Sequence, residues 1–324
     1  MYICPAGRKG VCQMGKMNIC GAPCCWGVDD ITNPYLPSWQ RVVKEAHEAG
    51  YRALELGPNG WIPTDDISLV TEELNKNEIS IVAGTIFDDV LSDDNFEKLM
   101  TQVDGICSLI TKLPPLPREE GQRWPTPYMT VMDWGHDERD YAAGHSDRAP
   151  RLDKDGWNKM MYHFKELCKK ANSYGVRPVL HPHCGGYVEF ADEIDAFADS
   201  IPNDMAGIVL DTGHLRYAGM DPVEWLRKYK DRLDYVHFKD INGKVYKEVL
   251  AEEHIRFFEG CWRGSMCPIG QGIIDYPAVK AVLDEIGYAG YITIEQESDP
   301  RNADQALANV KASISYLKSI GFQI

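Results

Sequence analysis

Short runs rich in branched and aromatic residues alternate about eight times with longer amphipathic stretches, and that alternation leaves few folds open. Strands separated by helix-length segments pair in parallel. About eight such units favour a closed (β/α)8 TIM barrel over an open sheet. The spacing predicts strands at 17–26, 51–57, 79–87, 128–134, 177–183, 205–211, 233–239 and 290–297. Amphipathic stretches at 37–49, 153–174 and 304–320 predict covering helices, the last with Ala306, Val310, Ile314 and Leu317 on one face. Three connections, 114–127, 135–152 and 242–274, exceed the usual length and sit at strand ends. No Ser/Gly-rich linker or charge block divides the chain. It therefore reads as a single-domain α/β barrel with enlarged loops, residues 17–324, preceded by an extension, residues 1–16.

Composition narrows the partners. A formal charge of -15 over 324 residues repels nucleic acid and anionic membranes, so a small-molecule substrate is expected and neither of those surfaces is. No apolar run is long enough for a membrane span, and the first residues lack a signal-peptide core, which predicts a cytoplasmic protein. The ten cysteines are scattered, several inside apolar runs, as expected of reduced, buried thiols. Cys4, Cys12, Cys20, Cys24 and Cys25 cluster near the start, but no Cys-x-x-Cys pair marks them as a metal site.

The chemistry is written where four strand candidates end: LHPHCGG, VLDTGH, VHFKD and ITIEQE. In a parallel barrel all strand C-termini share one rim, so His181, His183, Asp211, His214, His237, Lys239, Asp240, Glu295 and Glu297 are expected to converge. Taken singly, such a histidine is ordinarily a structural hydrogen-bonding residue and an Asp before Thr-Gly a turn former. Together they suit a divalent ion such as manganese, with magnesium, cobalt, iron or zinc as alternatives. The preferred ligands are Asp211, His237 and Glu295, joined by His181 or His183, with Glu189 as a further candidate.

The strings GAPCCWGVDD (21–30), ELGPNGWIPTD (55–65), HPHCGGYVE (181–189), LDTGHLRYAGMDP (210–222), VHFKD (236–240) and IGQGIIDY (269–276) then become recognisable. From Met17 onward the chain resembles the xylose isomerase-like, sugar-phosphate isomerase/epimerase-like barrels, most closely their inosose dehydratase branch. The resemblance implies a metal held by His181, Asp211, His237 and Glu295, with His181 standing where many relatives carry glutamate. It also implies a lyase that removes an α-proton from a keto-polyol or keto-sugar and expels a β-hydroxyl. His183, His214 or Lys239 would move the protons, and Glu55, Trp26, Asp240 and Trp262 would contact the substrate. Similar barrels cleave 3-keto C-glycosides with a small partner subunit. Phe257, Phe258 and Trp262, in the long connection before the last strand, suit an aglycone pocket, a partner surface or plain loop core.

Other readings remain. A ketose isomerase or epimerase uses the same enolate, and a non-catalytic sugar-binding or scaffold subunit uses the same barrel. A metal-dependent nuclease would need a basic groove that the acidic balance opposes. Gly270 and Gly272 resemble a phosphate-binding turn, though no cluster of basic residues accompanies them. An oligomer is expected, as for many barrels.

Overall fold

The computed structural model describes residues 16–324. Eight parallel strands close into a barrel, each paired with its neighbours in sequence. They are β1 (Met17–Gly21), β2 (Ala53–Glu55), β3 (Ser80–Asp88), β4 (Tyr128–Asp133), β5 (Arg177–Leu180), β6 (Gly207–Asp211), β7 (Leu233–Phe238) and β8 (Gly290–Ile294). Closure runs between β1 and β8, from Met17 opposite Gly290 to Gly21 opposite Ile294. All eight strand candidates are present, several of them shorter at the rim end than the apolar pattern suggested.

The three predicted covering helices form at Trp39–Ala49, Lys154–Ser173 and Ala306–Ser319. Ser38 and Asp153 start the first two by accepting backbone N–H groups of Arg41 and Gly156. Their apolar faces join one large core between helices and sheet. A second, smaller core of Cys20, Ala53, Val82, Ala83, Tyr128, Val179, Val209, Tyr235 and Tyr291 is the layer packed inside the barrel.

The long connections carry structure of their own. Segment 242–274 contains helices Gly243–Leu250 and Phe257–Trp262, and a short ribbon pairs Asp240–Ile241 with Met266–Cys267. Arg256 ties it to the loop after β4 by donating to Asp137 and Asp140, both at 2.8 Å. Beneath that junction Arg139 is fully buried and grips Glu193 through two hydrogen bonds, 2.6 and 3.0 Å. Arg139→Leu takes from the buried Glu189 and Glu193 carboxylates the cation they share, leaving only the part-exposed Arg151, 3.3 Å from Glu193. A loss of about 3–5 kcal/mol is expected, read as a lower urea midpoint at unchanged slope.

Among the described residues Cys20, Cys24 and Cys25 are buried free thiols, while Cys4, Cys12 and all but the last residue of the expected 1–16 extension lie outside them. No described helix is long and apolar enough to cross a membrane.

Candidate metal centre and active site

β6 and β7 meet side by side in register, with Asp211 opposite His237, and β8 follows with Thr293 opposite His237. That register places the strand-end donors at one height on the rim. Asp211 also caps the helix Thr212–Tyr217: Oδ1 accepts the His214 N–H at 2.7 Å, while Oδ2 is buried without any hydrogen-bond partner. The turn former and the site residue are thus the same carboxylate, one oxygen for each task.

Around Asp211 Oδ2 stand three more donors. His237 Nδ1 lies 4.0 Å from it, 3.3 Å from Glu295 Oε2 and 3.0 Å from His181 Nε2. His181, Asp211, His214 and Glu295 each offer a ligand atom within 4.8 Å of the others. Lys239, fully buried, places Nζ 3.4 Å from Asp211, 3.0 Å from Glu295 and in contact with Glu297. Three buried carboxylates crowd this one ammonium, a concentration of negative charge that a divalent cation would offset. The unpartnered Asp211 oxygen and the mixed imidazole and carboxylate set fit such an ion.

The titration behaviour follows from this crowding. Burial raises the Asp211 carboxyl to about 7, with Lys239 opposing and Glu295 reinforcing the shift. Burial also opposes a charge on Glu295, but His237 and Lys239 outweigh it and hold that carboxyl well below its usual range. His181 is kept neutral by burial and by His237. For His237 burial works against the proton, yet Glu295 and Glu55 prevail and lift the imidazole to about 10. The sequence suggested Lys239 as a base of lowered pKa. Burial does push that way, but Asp211, Glu295 and Glu297 overcome it and raise the amine well above its ordinary value, so it is placed as a cation and not as a base.

The two remaining histidines differ. His183 Nδ1 faces the Cys184 carbonyl at 2.9 Å; a carbonyl only accepts, so the proton sits on Nδ1 and Nε2 keeps a lone pair. His183 also lines the inner cavity. His214 has both nitrogens engaged, Nδ1 accepting from the Cys184 N–H at 3.2 Å and Nε2 meeting Lys239 Nζ at 2.7 Å. Burial and Lys239 lower both imidazoles, His183 to about 3.

Several residues expected at the site have other duties. Glu189 accepts the Gly144 and Gly185 N–H groups at 2.7 and 2.9 Å, stapling the loop after β5, and is not a ligand. Asp240 spends its carboxylate on the amides of Gly270, Gly272, Ile241 and Ile274 and so has nothing left for substrate. The same bonds consume the Gly270 and Gly272 N–H groups that a phosphate would need. Gly272→Ala would set a methyl 2.2 Å from Asp240 Oδ1. An overpacking cost of about 1–3 kcal/mol is expected in thermal unfolding. Trp26 is fully buried, its indole N–H donating to Glu45 at 2.7 Å, and is core.

Glu55 sits at the end of β2. It accepts the Tyr235 hydroxyl at 2.8 Å and lies 2.9 Å from His237 Nε2, which orients that imidazole from below. Glu55, His183, Glu295 and Glu297 line an inner cavity of about 70 Å³. It opens into an outer chamber of about 830 Å³ walled by Phe87, Trp134, Phe258 and the half-exposed Trp262. Thr85, Phe87 and Met132, also part of these walls, carried no motif strong enough to mark them in the sequence, and Asp29 stood inside GAPCCWGVDD without being singled out.

The fold defines the class as the (β/α)8 TIM barrels, here with imidazole and carboxylate donors on the rim of the fifth to eighth strands. The chain belongs to one of its families, the xylose isomerase-like TIM barrels, whose family model matches residues 128–320. It is 31% identical over 290 residues to the inosose dehydratase of Geobacillus kaustophilus, covering 86% of this chain and 87% of that one. With the inosose dehydratase of Clostridium perfringens it shares 34% identity over 167 residues, which span 52% of this chain and 56% of that relative. The solved structure of the IOLI protein with a bound zinc atom superimposes with a TM-score of 0.68 at 17% identity, over 95% of this chain and all of that one, a likeness of fold.

Proposed function

We propose that this protein is a metal-dependent lyase that dehydrates a keto-polyol of the inosose kind. The observation that carries this is the rim set His181, Asp211, His237 and Glu295, in which His237 Nδ1 lies 3.0, 4.0 and 3.3 Å from the other three, with His183, whose Nε2 keeps its lone pair, lining the inner cavity. Manganese is the expected ion, with magnesium, cobalt, iron or zinc as alternatives that the same donors accept. A bound divalent cation supplies polarisation of the substrate ketone, easing the negative charge that develops on its oxygen. His183 Nε2 takes the α-proton, and its Nδ1–H, held by the Cys184 carbonyl, fixes the ring. Lys239 holds positive charge beside the developing oxyanion. The C–H electron pair becomes the new double bond and expels the β-hydroxyl, which departs as water once protonated.

The relatives' dehydratase activity supports the same reading. A second reading rests on the outer chamber, far larger than a ring-sized polyol needs and walled in part by Phe87, Trp134, Phe258 and Trp262: elimination of an aglycone from a 3-keto C-glycoside, with or without a small second subunit. Epimerisation of a ketose would follow if the proton returned to carbon before elimination. Metal-loaded protein incubated with 2-keto-myo-inositol and with a 3-keto C-glycoside, followed by liquid chromatography, separates the three. Dehydrated inosose establishes the first, released aglycone the second. Inertness toward both and toward ketoses, with metal bound, would leave a binding or scaffold role and sink the enzymatic one.

A further inference from the structure

We infer that Asp29 is the acid of the reaction, meeting the departing oxygen at the neck between the two cavities. This rests on the elimination proposed above. Five residues line both the inner cavity and the outer chamber: Asp29, Pro58, Thr85, Phe87 and Phe258. Asp29 alone among them can exchange a proton. A substrate whose ketone lies by the cage in the inner cavity sends its leaving group outward through this neck, where the inner cavity meets the chamber. The bond that breaks therefore passes Asp29.

The carboxyl is placed for that task and for no visible structural one. Among the described residues it accepts no hydrogen bond and joins no ion pair, whereas its neighbour Asp30 is spent on the Thr32 N–H at 2.8 Å and on its hydroxyl. Its backbone is held firmly: Gly27, two residues earlier, has a φ of +76°, and a Cβ there would meet the Pro300 backbone at 2.5 Å. The loop after β1 thus rests directly on the chain that follows β8, and Asp29 projects from that anchored turn. Burial favours the protonated form of Asp29, with Glu297 reinforcing it against Lys239.

The step balances. His183 Nε2 gains the α-proton, the C–H pair forms the carbon–carbon double bond, and the carbon–oxygen pair leaves with the hydroxyl oxygen. That oxygen receives the Asp29 proton and departs as water. Asp29 is regenerated by the proton now on His183, passed through solvent when product leaves.

The test separates proton abstraction from elimination. Wild type, Asp29→Asn and Asp29→Glu, each loaded with manganese and checked for stoichiometric metal, are incubated with 2-keto-myo-inositol in deuterated water. Mass spectrometry follows deuterium entering the α-carbon, and chromatography follows dehydration. Asp29→Asn is expected to keep exchange within a few-fold of wild type while dehydration falls about 100-fold or more, with partial recovery in Asp29→Glu. Equal loss of exchange and dehydration would assign Asp29 a structural role, and undiminished dehydration would remove it from the reaction; either overturns the inference. Wild type that neither exchanges nor dehydrates overturns the parent reading, and this one with it.

Discussion

Asp211→Asn is expected to empty the metal centre while leaving the barrel folded. The amide oxygen of Asn still accepts the His214 N–H that Oδ1 accepts now, so the helix Thr212–Tyr217 keeps its cap. The amide nitrogen replaces Oδ2, presenting a donor where the cage needs a lone pair. Residues that merely support a ligand cost 10- to 100-fold in affinity, so loss of a direct ligand is expected to exceed about 100-fold. Metal analysis by mass spectrometry reads this directly. Thermal unfolding gives a second readout: added manganese raises Tm of the wild type and not of the variant. Asp211→Ala differs by losing the cap as well, about 1 kcal/mol more. A variant that kept stoichiometric metal would remove Asp211 from the ligand set.

The same carboxylate sets a pH dependence. A protonated carboxyl cannot ligate, and burial holds the Asp211 proton up to about 7. Binding therefore releases a proton below that value. The sign is fixed: affinity falls as pH drops through about 7, by up to roughly tenfold per unit for this proton. Metal titrations at several pH values check the slope.

The barrel was legible because its strands are apolar runs of strand length bounded by turns, a local pattern that needs no partner to recognise. The rim was legible for a related reason: in a parallel barrel, strand order alone brings the ends of LHPH, VLD, VHF and ITIE together. Strand lengths were overestimated at the rim because the side chains doing chemistry continue past the ladder; β5 stops at Leu180, and His181 and His183 stand on irregular backbone beyond it. What misled was polarity satisfied from far away. Asp240 follows the ligand strand in VHFKD, yet four amides, three of them about thirty residues on, consume it. Glu189 follows LHPHCGGY and is taken by Gly144, 45 residues back. Trp26 stands in the first rim loop, but the 3-10 turn Pro23–Trp26 turns its indole to Glu45 on the helix side. Asp29 was missed for the converse reason: its importance lies in having no partner, which no local pattern reports.

His183→Gln is expected to retain metal and lose turnover by about 10²- to 10⁴-fold in kcat, the range a positioned base contributes. The prediction turns on which histidine has a free lone pair. His183 gives its Nδ1 proton to the Cys184 carbonyl and leaves Nε2 to the inner cavity, whereas His214 is occupied at both nitrogens. His214→Gln should therefore disturb Lys239 and the loop after β5 before it touches proton abstraction, with α-carbon exchange outlasting that in His183→Gln. The pH profile adds a test that substitution alone lacks. An ordinary imidazole base would impose an acid limb near 6.5. Burial and Lys239 bring His183 to about 3, so its base form persists throughout the working range. The acid limb of kcat/KM then belongs to metal loss at Asp211, and saturating metal should move it to lower pH. A limb that stays near 6.5 at every metal concentration would mean that another imidazole, or a differently solvated His183, takes the proton.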